Sequence, residues 1–330
     1  MLEVWLGTFP FAGGVTELAQ MAEADGWDGL ALTDSQNLAG DVFAALCLAG
    51  HATTTLKLAT GATNPSTRHP AVVASAIATV QVESGGRAVL GIARGDSALA
   101  YLGRPPTPLA EFRHGLEHIQ AYLRGQAVDL DGYASRMDWV ARNGQPKVPM
   151  AVAATGPKVI ELAARVAERV TFSLGAMPER LRWAIELARS VSPGVSCGAY
   201  VNAVAHPDVN MARELVRGRL GVYARFSSMH DNALRSLQPE DQAVMTRLAE
   251  RYDMNAHATA GARHESALDD DFVDRFGIVG PSDHVAERLR ELAALGLDHV
   301  IIVGHGRDVA PAVLAESSRR FGREVLPQLR

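Results

Sequence analysis

A β-type apolar run, a loop and an amphipathic helix recur eight times along this chain. That alternation limits the folds open to it more than any other feature. The runs lie at 4–6, 29–32, 56–60, 88–92, 148–153, 169–172, 196–204 and 299–303. After the first, Val15, Leu18, Ala19 and Ala22 recur at helical spacing, and Gly26 supplies a stop. Pro70, Pro157 and Pro178 each stand where a helix opens, a position that tolerates the missing N–H. Eight strands alternating with helices in 330 residues predict an α/β fold, the (β/α)8 TIM barrel. A doubly wound sheet is the main rival, but it usually announces itself with an early GxGxxG turn, and this chain has none.

The interval between runs seven and eight is too long for one helix. Residues 223–277 therefore read as a helical insertion, polar in places (Asp269, Asp270, Asp271, His257, His264) and expected to cover the barrel mouth. The chain, 1–330, is then a single barrel domain carrying that appendage. Its 32 Lys and Arg against 37 Asp and Glu give a net charge of −5, which argues against nucleic acid or an anionic membrane as partner. Cys47 and Cys197 form no CxxC pair, so a disulfide framework or zinc cluster lacks support and a cytoplasmic location is expected. No apolar run approaches the ~18–20 residues needed to span a bilayer. The opening MLEVWLGTFPFAGG has no basic leader and does not read as a signal peptide.

Barrel chemistry sits where strands end. The third run is followed by ten turn-forming residues, Gly61 to Pro70, which include Asn64, Arg68 and His69. Such a loop can bring backbone N–H groups against a flat ligand, or it is a long turn with Arg68 in an ion pair. After run five, Ala154, Thr155, Gly156, Pro157 and Lys158 make either an anion site at a helix start or an ordinary helix start. Asp96, beside Gly95, either exchanges a proton or hydrogen-bonds its own turn. Asp34 and Ser35 follow run two. His114 and His118 have metal-compatible spacing but no third ligand nearby, so no metal is expected. The Arg94-Gly95-Asp96 tripeptide carries no weight as an adhesion motif in this context. The chain has no Walker A loop, SxxK or HExxH, which leaves ATP use and hydrolysis of the SxxK or HExxH kind unsupported.

Two stretches, GATNPSTRHP at 61–70 and SGGRAVLGI at 84–92, resemble the bacterial-luciferase-like superfamily. Within it they are most similar to the branch that uses the deazaflavin coenzyme F-420, whose best-known members are methylene-tetrahydromethanopterin reductases. The likeness is strong over 56–97, moderate at 154–158, fits Val279-Gly280-Pro281 and is unrecognisable over 223–277. It implies a cis peptide at Gly61–Ala62 behind the coenzyme ring. It also implies that Ala62 and Thr63 support the ring face and that Gly95 and Asp96 lie at its pyrimidine edge. Ala154, Thr155, Gly156 and Lys158 would cradle the phosphate, and relatives of this kind are usually homodimers or larger. Asp96 stands where sugar-oxidising members place a Glu proposed as proton donor. Those members also carry a His where this chain has Ser35, and a serine is a poor base without a proton acceptor beside it. The resemblance therefore favours reduction of an imine or activated double bond of a small organic substrate by coenzyme F-420. The alternatives are an FMN monooxygenase supplied by a partner flavin reductase, and a non-catalytic flavin-binding barrel. A metal-dependent hydrolase would need His and Asp clusters at several strand ends, where only scattered ones occur.

Overall fold

In the computed structural model, which describes residues 2–228 and 237–330, the alternation closes into a barrel. Its strands are β1 (Glu3–Thr8), β2 (Gly29–Leu32), β3 (Lys57–Thr60), β4 (Ala88–Ile92), β7 (Met150–Ala154), β8 (Arg169–Phe172), β9 (Ser196–Val201) and β12 (His299–Ile302). They run in the order β1-β12-β9-β8-β7-β4-β3-β2, all parallel, with β2 returning to β1. Strand period 2 splits each strand between two cores. Leu30, Leu32, Leu58, Leu90, Val152, Val170 and Val300 face outward into the helix layer. Trp5, Ala31, Ala59, Val89, Ala151, Tyr200 and Ile301 belong to the other, inner cluster. That interior is mostly small residues around two large rings. Gly29 is needed for this, because a Cβ there would fall 2.3 Å from the Trp5 ring. Each large apolar side chain fully buried this way contributes about 1.5–3 kcal/mol.

Helix Val15–Ala24 buries Val15, Leu18, Ala19 and Ala22, the face that its spacing predicts, and the helix Pro70–Glu83 opens at the expected proline. Two excursions were not legible. Between β4 and β7 the chain forms a hairpin, β5 (Val128–Leu130) with β6 (Tyr133–Ser135), and a short helix Asp138–Arg142. The seventh run, expected to be continuous over 196–204, is broken at Asn202. The buried Asn202 amide donates to the Val303 carbonyl at 3.0 Å, and the chain then leaves the barrel as β10 (Ala203–Ala205). That strand pairs in parallel with β11 (Ile278–Gly280), which precedes the last barrel helix, Ser282–Ala294. The departure from the barrel therefore begins at 203 rather than 223, and its first helix, Val209–Ser228, is already under way at the expected boundary. Positions 229–236 of the expected insertion lie outside the described residues. Among the described residues, no helix is long and apolar enough to cross a membrane.

Candidate active site

The Gly61–Ala62 peptide is cis, as the resemblance implies. Past it the chain rejoins the sheet. Thr63 donates its N–H to Gly91 O at 2.9 Å and accepts from Ala93 N at 2.8 Å, a single parallel bridge beside β4. Asn64 closes the next turn by accepting from the N–H groups of Ser66 and Thr67, at 3.0 and 2.9 Å. The bend is pinned from below by Asp34, which is buried and accepts from the Thr63 hydroxyl at 2.6 Å. Arg68 reaches the same carboxylate through both Nη atoms and also Asp41 at 2.9 Å, with its guanidinium 5.1 Å above the Phe43 ring. Burial works against the Arg68 charge, but the two carboxylates outweigh it and its pKa is raised. Arg68 thus takes the ion-pair reading.

The bend forms one wall of an open cavity at the C-terminal end of the barrel. Asp34, Gly61, Ala62, Asn64, Gly95, Asp96, Ala154 and Thr155 line it. Thr63, Ser35, Arg68, Gly156 and Lys158 do not. Ser35 is fully buried with its hydroxyl 3.1 Å from that of Ser97. Gly95 takes φ +85°, and a Cβ there would meet Leu99 at 2.7 Å, so the β4 turn requires glycine. Gly156 precedes the helix Pro157–Val166 at φ −102° with open space around its Cα. Lys158 is exposed. His114 and His118 stand 4.2 Å apart, ring to ring, away from this lining.

The opposite wall comes from residues the sequence reading did not single out. Helix Val209–Ser228 sends Arg219, Val222, Tyr223 and Phe226 into the cavity, and Tyr200 and His257 join them. Their i, i+3, i+4, i+7 spacing is one helical face, and an arginine within an apolar stripe was the available signal. Arg225, on the same helix, donates to both oxygens of Asp96, at 2.7 and 2.8 Å. Its guanidinium lies 4.7 Å over the Tyr252 ring, and the Tyr252 hydroxyl meets His257 Nδ1 at 2.8 Å. Burial first, then Arg219, Arg225 and Arg307, pushes the His257 pKa down to about 3. Burial also pushes Tyr200 and Tyr223 upward. The mouth is therefore cationic and its imidazole and phenols are neutral near pH 7.

The lining suits a flat heteroaromatic cofactor. Apart from methyl groups, one wall is bare backbone at Gly61–Ala62 and Gly95. The N–H groups of Ala62, Asn64 and Gly95 have no acceptor among the described residues, nor do those of Thr155 and Gly156. Ring carbonyls and an anionic tail need such donors.

Comparison with known proteins agrees with this geometry. The family model described as luciferase-like monooxygenase matches residues 9–299. The 5,10-methylenetetrahydromethanopterin reductase of Archaeoglobus fulgidus is 30% identical over 94% of each chain. The F-420-dependent glucose-6-phosphate dehydrogenase of Beutenbergia cavernae is 29% identical over 94% of this chain and 91% of its own. The solved structure of the coenzyme F-420-dependent tetrahydromethanopterin reductase from Methanopyrus kandleri superposes with a TM-score of 0.78 at 21% identity, covering 100% of this chain and 99% of that one. Flavin monooxygenases share the fold at lower similarity, for example a type II Baeyer-Villiger enzyme in complex with FMN at TM-score 0.68 and 16% identity. The barrel, its bent third strand end and this full-length likeness converge on one assignment: the chain belongs to the luciferase-like monooxygenase family of oxidoreductases.

Proposed function

We propose that this protein is a coenzyme F-420-dependent oxidoreductase that reduces an imine or an activated double bond of a small organic substrate. A relative named for F-420 over 94% of this chain and the F-420-dependent reductase structure that matches its full length support the cofactor. The observation that carries the direction is the cavity's charge: a buried Arg219 beside a His257 held down to about 3, with no free base in the lining among the described residues.

Alcohol oxidation needs a group that takes up the hydroxyl proton. Asp34 is occupied by Arg68 and Thr63, Ser35 lies outside the cavity, and His257 is surrounded by guanidinium groups. Hydride addition to an electron-poor bond instead builds negative charge on the substrate, and fixed cations stabilise that charge. When bound, the reduced deazaflavin supplies the hydride. Gly61 and Ala62 would back its ring, and the N–H groups of Thr155 and Gly156 would hold its phosphate. Lys158 adds positive charge at the outer end of that helix start. Asp96 would lie at the ring edge, but its two oxygens accept from Arg225, so we assign it to holding the two walls together and leave protonation to solvent. Aromatic residues of the helix Val209–Ser228 would exclude water from the reacting carbon.

The test is a titration of the pure protein with oxidised coenzyme F-420 and with FMN, followed by turnover of the reduced forms. F-420 binding, with oxidation of reduced F-420 by enones or imines and no oxygen uptake, is the expected result. Binding of reduced FMN with oxygen consumption, and no affinity for F-420, overturns the reading.

A further inference from the structure

Arg219 is only 4% exposed, yet it lines the cavity. Its guanidinium stacks 4.4 Å over the Phe9 ring and stands 5.9 Å from the Tyr223 ring. One of its five N–H donors is used, by the Thr33 hydroxyl at 3.1 Å. No carboxylate pairs with it among the described residues. A buried cation without a counter-ion is costly, and the usual remedies, a partner carboxylate or exposure, are absent among the described residues. Asp96, the nearby acid on the cavity wall, is taken by Arg225.

The cofactor does not account for this charge. Phe9 and Thr33 follow β1 and β2, whereas the Thr155–Gly156 helix start follows β7. In the eight-strand ring β1 and β7 are four strands apart, on opposite sides of the mouth. An anionic tail held at β7 leaves Arg219 facing the other ligand. We propose that Arg219 is the specificity-determining residue of this cavity and that the substrate carries a carboxylate which completes its ion pair. This inference rests on the reductase reading given above. A planar carboxylate matches the fork of N–H donors that the guanidinium still has to offer. The flanking Val222, Phe226 and Tyr200 offer apolar surface to the rest of the molecule. A phosphate dianion would call for more than one cation, and among the described residues only Arg219 is uncommitted in this part of the lining.

The experiment is isothermal titration of the pure full-length protein with benzoate and with benzamide, its neutral isostere, for the wild type, Arg219→Met and Arg219→Lys. Thermal melting of each is recorded. Benzoate binding at least about tenfold tighter than benzamide in the wild type is expected. Arg219→Met should lose that preference while melting no lower than wild type, because an unpaired buried charge has been replaced by an apolar chain. Arg219→Lys, which keeps the charge but not the planar fork, should weaken benzoate several-fold. Equal binding of the two probes, no benzoate binding, or an unaltered preference in Arg219→Met overturns the proposal. A marked drop in melting temperature for both variants also overturns it, since that assigns Arg219 a structural duty. Coenzyme F-420 is titrated in parallel. Benzoate preference without F-420 binding removes the cofactor reading alone, and F-420 binding without benzoate preference removes the Arg219 assignment alone.

Discussion

Arg225 and Asp96 join two walls of the cavity that are 129 positions apart in the chain: a single Nη1 donates to both carboxylate oxygens. The pair is largely shielded, with side-chain exposures of 19% and 14%, so its strength is only partly lost to solvent. A double-mutant cycle with Asp96→Asn and Arg225→Gln should give a coupling of about 1–2 kcal/mol by urea unfolding. Both single variants should raise KM more than they lower kcat, because the contact holds the walls together and carries no proton. A collapse of kcat in Asp96→Asn with KM unchanged would return Asp96 to the proton-donor role.

Asp34→Asn is expected to be much harsher. It removes the charge that faces Arg68 at a site only 2% exposed and weakens the hold on Thr63. The expected loss is about 2–4 kcal/mol of stability, with weaker F-420 binding because the bend at 61–63 loses its support. Chemical denaturation and a cofactor titration on the same sample check both halves.

Gly95, in the cavity wall, and Gly156, just outside it, should behave differently. Gly95→Ala meets a positive φ and a Leu99 contact at 2.7 Å, and should cost about 1–3 kcal/mol. Gly156→Ala has an ordinary φ and open space, so its melting temperature should match wild type. Its affinity for F-420 should nonetheless fall several-fold, because the added methyl stands at the helix start proposed to receive the phosphate.

Acid should destabilise the fold from below about pH 6.5. His257 and His299 both have pKa values pushed down to about 3, in each case by burial first, from an ordinary 6.5. Between those values the unfolded chain binds protons that the native state refuses, so stability falls as pH falls. Each imidazole contributes about 1.4 kcal/mol per pH unit within that window. Glu3 and Glu23, lowered to about 2, add in the same direction below pH 4.5. Urea midpoints from pH 7 to 4 should show the slope, and His299→Asn should reduce it by one proton.

The barrel was legible because its signal is periodic and local. β2, β4 and β8 appear at the expected residues, since each carries a run of buried residues between well-marked turns. The residues of the 61–70 loop were legible as a group, but their division of labour was not. Asp34, Thr63 and Arg68 act through one another below the cavity wall, an arrangement fixed by β2 and β3 lying side by side. Lys158 points to solvent because position 158 falls on the outer face of its helix. The opposite wall was missed because Arg219 and Arg225 acquire meaning only when a helix from the far end of the sequence folds across strands from the beginning. Asn202 hid a strand break inside an apolar run, which only a buried hydrogen bond to Val303 discloses.

Strands β10 and β11 lie hydrogen-bonded side by side, 203 against 278 and 205 against 280. Everything between them leaves and re-enters through adjacent doorways, as on a cassette clipped to a frame. The barrel staves and the coenzyme's proposed seat stay outside that clip, while the Arg219 face lies inside it. Swapping the stretch from one homologue to another, cut at those two short strands, would therefore exchange the chemical taste of the enzyme while leaving its redox engine in place.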